Sequence, residues 1–371
     1  MLDAVAGAGV ALALSWYLTG VLTRLPSRFS VLDYPNARSL HLRPTPRTGG
    51  LAIVAGFLAA VAAFLVLGVL RDGAGILAMR GVSWMIAMLA MLALVSYWDD
   101  CVHLPTGVRL FAHVIAALGV VLGGDLRIAA IDVPGIGLVQ WGGIGLVVTI
   151  LAVAWMTNLY NFMDGMDGLA GGMAVIGFSM LAAVAFVEGH AVVGGLAAGV
   201  AAAAAGFLRY NFPPARIFMG DIGSISLGFL AASLSLVGIR AGAFDVLTPV
   251  LVFSPFIVDA TVTLLRRIAV LQPPWLAHRD HIYQRLVLAG WQVQRTTLAA
   301  YGLMIASGVS ALIYQQASST LRLVLLIAYG AIYCILVFLV RFAGSAVPRT
   351  PSRSPGGRTG RGSVGEGQAR R

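Results

Sequence analysis

Residues 143–168 read GIGLVVTILAVAWMTNLYNFMDGMDG, an apolar run that ends in four amide or carboxylate side chains. These are Asn158, Asn161, Asp164 and Asp167. The apolar part is long enough to cross a bilayer as a helix. Because a step of three residues falls about 60° short of a full helical turn, the first three polar side chains project from one arc. Such groups are costly at a membrane edge, so the pattern predicts a binding or catalytic site, with a capped helix end as the plainer alternative.

The rest of the chain has the same apolar character. Of its 371 residues, 59% are hydrophobic and 11% are charged, which excludes a water-soluble globular enzyme. The 25 basic residues are all Arg, which excludes chemistry that needs a lysine. We predict an all-α, polytopic membrane protein with about eleven spanning helices within residues 1–343. The predicted spans are residues 4–24, 50–70, 82–98, 108–123, 143–160, 168–187, 190–208, 222–239, 246–265, 298–315 and 321–341.

The arginines are divided unevenly between the two sides of these spans. Twenty lie in the tail and in the loops that alternate from residue 24 onward, and five lie in the other loops. Because cytoplasmic loops keep positive charge, the N-terminus is predicted outside and the C-terminus inside an inner (cytoplasmic) membrane. Residues 344–371, rich in Pro, Gly, Ser and Arg, are predicted to be a disordered tail attracted to anionic lipid. The net charge of +10 therefore indicates topology and a lipid bilayer partner, not nucleic acid.

Two further acidic motifs lie on the predicted cytoplasmic side. Asp99 and Asp100 end the third span as a vicinal pair, which suits Mg²⁺ but also fits a solvated helix end. Asp221, in the segment MGDIGS, precedes an apolar helix. It could be an ordinary N-cap, or it could hold a metal that bridges to a phosphate at the helix start. Both interpretations of each motif stay open on spacing alone.

Basic motifs lie on the same predicted side. The segment HRDHIYQR, residues 278–285, contains two histidines three residues apart, but no third ligand at a typical spacing, which disfavours zinc. Its imidazoles and guanidiniums suit an anion clamp for pyrophosphate, with a solvated basic loop as the plainer alternative. The segment RPTPRTGG, residues 43–50, places Arg47 in a rigid turn that also suits phosphate.

Acids for a metal and arginines for phosphate on one face predict phosphoryl transfer at the cytoplasmic interface. A donor from the cytosol would meet there a lipid phosphate that cannot leave the bilayer. A phosphate monoester has a second pKa of about 6 and is mostly dianionic at neutral pH, so a strong general base is not essential. The protein would chiefly align the two substrates and neutralise the spreading charge.

Residues 30–290 resemble the polyprenyl-phosphate N-acetylhexosamine-1-phosphate transferases, which initiate O-antigen, capsule or wall polymer synthesis. The form RSLHLRPTPRTGG is more similar to their O-antigen and capsule branch. The motifs that carry this resemblance are PTPRTGG, DD, NLYNFMDGMDGL, NFPPARIFMGDIGS and HRDHIYQRL, in this order. The resemblance implies transfer of N-acetylhexosamine 1-phosphate from a UDP-sugar to undecaprenyl phosphate, with release of UMP. It also implies a need for Mg²⁺, with Mn²⁺ as an alternative. HRDHIYQRL differs from the His-His-His run of the muramoyl-pentapeptide enzymes, which argues against their donor.

The resemblance, together with the basic motifs, implies roles for individual residues. The metal ligands would be Asn161 and Asp221. The catalytic residues would be Asp99, Asp100, Asp164, Asp167, His278 and His281. The substrate-binding residues would be Arg47, Arg109, Asn158, Arg216, Arg279 and Arg285.

A secondary transporter is the alternative from another functional class. It would need ionisable residues near the middle of spans, and Asp259 and His113 are the two that occupy such positions. A phosphotransferase with a cytidine-linked lipid donor would need a DG-x2-AR motif, which the sequence lacks. A non-catalytic lipid-binding or assembly protein would leave the Asn and Asp spacing without a purpose.

Overall fold

The long apolar runs fold into helices in the computed structural model, which describes residues 2–25, 31–35, 44–72, 79–273 and 278–343. The predicted tail, residues 344–371, lies outside the described residues. The described part is mostly helical, which confirms the predicted all-α polytopic class. Its helices are α1 Leu2–Leu22, α2 Gly49–Asp72, α3 Arg80–Val102, α4 Thr106–Leu118, α5 Gly142–Phe162, α6 Leu169–Val187, α7 Ala191–Asn211, α8 Gly220–Ala241, α9 Leu247–Val252, α10 Ser254–Ala269, α11 Ile282–Leu288, α12 Val293–Gln316 and α13 Ser319–Ala343.

Two short antiparallel hairpins join some of these helices. Strand β1, Leu32–Asp33, pairs with β2, Thr45–Pro46, so that Leu32 lies opposite Pro46. Strand β3, Ala130–Val133, pairs with β4, Gly137–Gln140, so that Ala130 lies opposite Gln140. Strands of this length carry too few residues for an alternating pattern, which is why the sequence did not predict them.

A π-helical turn, Gly119–Gly123, continues α4. With this extension, ten helices in the described part are long and apolar enough to cross a membrane, and they coincide with ten of the eleven predicted spans. The remaining prediction, residues 246–265, is corrected: this stretch forms two shorter helices, α9 and α10. The break falls at Phe253 because Pro255, which has no amide hydrogen, follows it. Ser254 Oγ instead donates to the Leu251 carbonyl oxygen at 2.7 Å, so the carbonyl that the proline cannot satisfy is still paired.

Helix α8 lies at the centre of the bundle, with 89% of its span buried. It packs against α3 and α5, and glycine allows a close approach there: a Cβ at Gly228 would lie 2.7 Å from the Met156 carbonyl oxygen of α5. Small residues also allow α1 and α7 to pack closely, and Ser15 Oγ of α1 donates to the Ala203 carbonyl oxygen of α7 at 2.6 Å. The N-terminal end of this central helix is therefore surrounded by the ends of its neighbours.

The start of α2 is tied to the segment that precedes α8. The Phe218 amide donates to the Pro46 carbonyl oxygen at 2.7 Å, and the Gly49 amide donates to the Phe218 carbonyl oxygen at 2.9 Å. A Cβ at Gly50 would lie 2.2 Å from the Gly223 amide nitrogen, so the two backbones approach as closely as glycine permits. This pairing places the residues just before α2 beside the first turn of α8.

Candidate active site

Three helices bring acidic and amide side chains to the same end of the bundle. Helix α3 ends with Asp99 and Asp100, α8 begins with Asp221 in its first turn, and α5 ends with Asn161 in its last turn. We call these residues, together with Asp164 in the turn after α5, the acid cluster. The sequence motifs that contain them are up to about 120 residues apart, and the packing of α3 and α5 on α8 brings them together.

Asp221 is held by two side chains from other helices. Its Oδ1 accepts a hydrogen bond from Asn161 Nδ2 at 3.0 Å, and its Oδ2 lies 3.2 Å from Arg109 Nη1. Asn161 Nδ2 also donates to Ser224 Oγ at 2.9 Å, one turn further along α8. Arg109 Nη1 lies 3.2 Å from Asp99 Oδ2 as well, so one guanidinium nitrogen of α4 bridges carboxylates of α3 and α8.

Asp100 is buried against the start of α8. Its Oδ1 accepts from the Asp221 amide at 3.4 Å, and its Oδ2 accepts from the Ile222 amide at 3.5 Å, which pairs two donors that the helix start leaves free. Arg47 Nη2 lies 3.3 Å from Asp100 Oδ1 and donates to the Asp100 carbonyl oxygen at 2.7 Å. Arg47, predicted to bind substrate, therefore lies at the acid cluster.

Gly220 closes the contact between these segments. Its φ of +65° lies in the left-handed region, and a Cβ there would be 2.2 Å from the Arg47 carbonyl oxygen and 2.8 Å from Asp100 Oδ2. A side chain would therefore need both an unfavourable backbone conformation and a displacement of Arg47. The glycine of the GDIGS motif thus serves the close packing of the cluster.

The oxygen donors of the cluster fit magnesium. Among the described residues, no three His, Cys, Asp or Glu side chains are placed to hold a metal by themselves. Magnesium, however, usually takes one or two carboxylates and completes its shell with water and substrate phosphate. Asp221 can supply the carboxylate, and rotation of the Asn161 amide would present its oxygen in place of Nδ2. Ser224 adds a hydroxyl oxygen beside both.

Asp164 carries the clearest sign of accumulated negative charge. Burial, together with the charges of Asp221, Asp100 and Asp167, raises the pKa of Asp164 well above its usual range. A bound cation would lower this pKa again, because its positive charge would favour the ionised form of Asp164 and offset the charges of the neighbouring carboxylates. The cluster is therefore electrostatically suited to a cation as well as chemically suited to one.

The second carboxylate of the DGMDG turn has a different environment. Asp167 Oδ2 accepts from the Ala215 amide at 2.9 Å, and the Asp167 carbonyl oxygen accepts from Thr297 Oγ1 at 3.1 Å. Gly168, at a φ of +74°, donates its amide to Asn211 Oδ1 at 3.0 Å. Asp167 thus joins the turn after α5 to the loop before α8. Asn211 is part of the NFPPARIFMGDIGS motif but was given no role from the sequence. Its hydrogen bond to Gly168 stabilises the same connection.

The histidine loop, which we define as residues 278–285, is anchored by a buried acid of α10. Asp259 Oδ1 lies 3.2 Å from His281 Nδ1 and accepts from the Ile282 amide at 2.9 Å. Asp259 Oδ2 accepts from the Tyr283 amide at 3.4 Å. His281, predicted to be catalytic, is also buried and caps the start of α11. Asp259 was the acid on which the transporter alternative depended, and these contacts account for it as a helix cap.

His278 lies closer to the surface of the same loop. Its ring centroid is 5.0 Å from that of His281, and burial, His281 and Arg267 together lower the pKa of His278 to about 4. Arg267 Nη1 donates to Asp280 Oδ2 at 2.7 Å, which fixes the loop to the end of α10. Tyr283 Oη donates to the Phe162 carbonyl oxygen at 3.3 Å and so places the loop beside the last turn of α5.

The other predicted substrate-binding residues are more scattered. Arg216 lies with its guanidinium carbon 4.7 Å from the centroid of the Tyr210 ring. It lines a cavity of about 410 Å³ together with Arg24, and this cavity shares no lining residue with the acid cluster. Asn158, Arg279 and Arg285 are partly buried, Asn158 on α5 and the two arginines in the histidine loop. Ion pairs therefore place Arg47 and Arg109 at the acid cluster, whereas Arg216 lies against Tyr210.

Comparison with known proteins places this site in a family. Residues 82–239 match the model described as glycosyl transferase family 4. The chain is 31% identical over 325 residues to a probable undecaprenyl-phosphate N-acetylglucosaminyl 1-phosphate transferase of Bacillus subtilis (strain 168), covering 87% of this chain and 86% of the relative. The chain belongs to glycosyl transferase family 4. This confirms the resemblance to polyprenyl-phosphate N-acetylhexosamine-1-phosphate transferases.

Two other members of family 4 show how the similarity is distributed. A decaprenyl-phosphate N-acetylglucosaminephosphotransferase of Mycolicibacterium smegmatis is 28% identical over 359 residues, covering 88% of this chain and 86% of the relative. A phospho-N-acetylmuramoyl-pentapeptide-transferase of Staphylococcus aureus is 43% identical, but over 90 residues that cover 24% of this chain and 28% of the relative. The residues matched by the family 4 model include the whole acid cluster and Arg109, and exclude Arg47 and the histidine loop.

Proposed function

We propose that this family 4 protein transfers N-acetylhexosamine 1-phosphate from a UDP-sugar to undecaprenyl phosphate, releasing UMP, at the cytoplasmic face of the cell membrane. The observation that carries the proposal is the acid cluster with Arg47 and Arg109 beside it, at one end of the membrane helices. The names of the Bacillus and Mycolicibacterium relatives support a polyprenyl phosphate acceptor and an N-acetylglucosamine phosphate group.

In this reaction a phosphate oxygen of the lipid attacks the phosphorus that carries the sugar. A new oxygen–phosphorus bond forms, the bond to the uridine phosphate breaks, and UMP leaves with the bonding electron pair. The lipid phosphate is already mostly dianionic at neutral pH, so its attack needs alignment more than a strong base. This explains how a site rich in carboxylates and arginines, with no lysine in the chain, is sufficient.

Most groups of the acid cluster, and the two arginines beside it, have a task in this chemistry. Magnesium, when bound, would supply positive charge that offsets the charge spreading over the transferred phosphoryl group. Asp221 and Asn161 would hold it, and Asp99 and Asp100 would orient Arg109 and Arg47. The two guanidiniums would bind phosphate oxygens, for which their planar donors are well shaped. The histidine loop, held beside α5 through Tyr283, would cover the donor.

The position of the cluster suits a substrate that is confined to the bilayer. The acids lie at helix ends, where a lipid phosphate and a water-soluble nucleotide can meet. We assign this end to the cytoplasm because most of the arginines lie on the same side. We further propose that the product initiates O-antigen, capsule or wall polymer synthesis.

The proposal is tested with purified protein, undecaprenyl phosphate and a panel of UDP-N-acetylhexosamines, following the release of UMP. We expect release with one or a few of the donors, and only when both the lipid phosphate and Mg²⁺ or Mn²⁺ are present. Omission of the lipid is the control for simple hydrolysis of the donor. Absence of UMP with every donor, in protein that remains folded, would contradict the proposal. It would favour the transporter or assembly-protein alternatives instead.

A further inference from the structure

Arg109 occupies an unusual place between two of the acids. A single nitrogen, Nη1, lies 3.2 Å from Asp99 Oδ2 and 3.2 Å from Asp221 Oδ2. The two carboxylates belong to α3 and α8, and Arg109 reaches them from the first turn of α4. The guanidinium is therefore the positive charge that joins three helices at the acid cluster.

Each oxygen of the Asp221 carboxylate has a side-chain partner. Oδ2 is taken by Arg109, and Oδ1 accepts the hydrogen bond from Asn161 Nδ2. Each oxygen keeps a second lone pair, but a divalent cation there would lie beside the positive guanidinium or the amide hydrogens of Asn161. Its binding therefore favours displacement of Arg109 and rotation of the Asn161 amide. The amide can rotate in place and offer its oxygen to the cation. The guanidinium cannot stay at Asp221 Oδ2 beside a divalent cation without strong repulsion between the two positive charges.

Asp99 does not depend on Arg109 in the same way. Its Oδ1 accepts from the Leu104 amide at 2.6 Å, and that backbone donor stays in place when Arg109 moves. The Arg109 side chain is 33% exposed, whereas that of Asp99 is 6% exposed. The guanidinium thus has solvent to move into, whereas the acids remain fixed by their helices.

We propose that Arg109 is an internal counter-ion that occupies the cation position of Asp221 until a substrate phosphate arrives. On binding, the guanidinium leaves Asp221, pairs with the phosphate, and exposes the carboxylate to the divalent cation. This inference rests on the proposed function for the identity of the phosphate, but the competition between Arg109 and the cation is a property of the free protein. Arg109 would then act as a positioning residue for the metal in addition to contacting the substrate.

Two consequences follow from competition for one carboxylate. The cation should bind weakly to the protein alone, because binding includes the loss of the Arg109–Asp221 ion pair. The cation and the phosphate-bearing donor should also bind cooperatively, each strengthening the other by the same factor. Removal of the guanidinium should therefore raise the affinity for the cation and reduce the cooperativity.

The test measures Mn²⁺ binding to the full-length protein in detergent, from the electron paramagnetic resonance signal of free Mn²⁺, without any acceptor lipid. We expect R109Q to bind Mn²⁺ about tenfold more tightly than the wild type. R240Q is the matched control, since it removes the same charge from an exposed pair with Asp125. R47Q removes a charge from the cluster without touching Asp221, and should raise the affinity less than R109Q does.

A second arm adds saturating UDP-N-acetylglucosamine, with a protein-free sample to correct for Mn²⁺ bound by the nucleotide. The donor should raise the Mn²⁺ affinity of the wild type about tenfold, and that of R109Q by clearly less. Wild-type Mn²⁺ affinity in a folded R109Q, or an equal increase in R47Q, would overturn the inference. R109A carries the same prediction if R109Q does not fold.

These outcomes are separate from those of the transfer assay. Transfer activity with unchanged Mn²⁺ affinity in R109Q would overturn the counter-ion and leave the proposed function standing. Tighter Mn²⁺ binding in R109Q, without UMP release from any donor in the wild type, would support the counter-ion and contradict the proposed function.

Discussion

Asp221 and Asp259 are both carboxylates at the polar end of the bundle, but Asp259 is held in part by backbone amides and Asp221 by side chains. Asp259 accepts from the backbone amides of Ile282 and Tyr283, which are fixed in position by the fold. Asp221 is held by the side chains of Arg109 and Asn161, which can turn away without unfolding a helix. The comparison separates a carboxylate that holds structure together from one whose partners can be exchanged for a ligand.

The surrounding charges support the same distinction. Near Asp259, Asp280 Oδ2 lies 2.7 Å from Arg267 Nη1, so the acid of the histidine loop is balanced by a neighbouring arginine. Around Asp221, the four carboxylates of the acid cluster outnumber the two guanidiniums that contact them, so negative charge is in excess. An excess of this kind costs stability in the free protein and is relieved by a cation. We infer that the acid cluster, rather than the surroundings of Asp259, is the part of the polar end that binds a ligand.

The sharpest test of this comparison is D221N. The asparagine keeps the shape of the side chain but removes the charge that a cation and Arg109 both need. We expect transfer to fall on the order of a hundredfold or more, with no loss of thermal stability. The measurement is UMP release at saturating Mg²⁺, together with the melting temperature in detergent.

D125N is the matched control for D221N, because it makes the same change in an exposed ion pair with Arg240. It should keep both activity and stability. Full activity in D221N at low Mg²⁺ would show that Asp221 is not a metal ligand. Asp221 and Asp259 would then not differ in function as proposed.

A smaller and opposite effect is expected for D259N. An asparagine offers one acceptor oxygen in place of two, so it leaves an amide at the start of α11 unpaired. Such a loss costs about 1–3 kcal/mol of unfolding free energy. The melting temperature should therefore drop, while turnover per folded molecule falls much less than in D221N. A D259N protein that is fully stable but inactive would show that Asp259 belongs with the catalytic residues.

Much of the acid cluster could be predicted from sequence because its members lie at the ends of apolar runs. Asn161 and Asp221 are 60 residues apart, yet both follow from a polar motif beside a span on the same side. The alternation of spans across the membrane predicts that these ends lie on the same side, whereas the packing of the helices brings them into contact. Ten of the predicted spans also depended only on length and apolarity.

The contacts that give the cluster its behaviour could not be predicted in this way. The bridge from Arg109 to two acids depends on how α4 is rotated against α3 and α8, which hydropathy does not encode. The break at Phe253 depends on a single proline in an otherwise apolar stretch. A sequence does not show which backbone amides a buried acid will face, so only the structure shows that Asp259 caps α11.

The smallest expected effect concerns the pH dependence of the histidine loop. The folded chain holds the pKa of His278 at about 4, whereas the unfolded chain has the ordinary value of 6.5. Between these values the unfolded state binds a proton that the folded state does not, so stability falls as the pH is lowered through this range. Above pH 6.5 neither state is protonated at this residue, and its contribution is constant. The stability of the wild type should therefore decline more steeply than that of H278Q between pH 6.5 and 4.5.

The measurement is the melting temperature of both proteins across this pH range, with H190Q as the control. His190 lies at the start of α7, outside the histidine loop, so H190Q should keep the wild-type slope. Equal slopes in the wild type and H278Q would mean that His278 faces water rather than the packed loop. The histidine loop would then resemble the acid cluster in having side chains that are accessible to a ligand. The distinction between Asp259 and Asp221 would in that case depend only on the backbone partners of the first and the side-chain partners of the second.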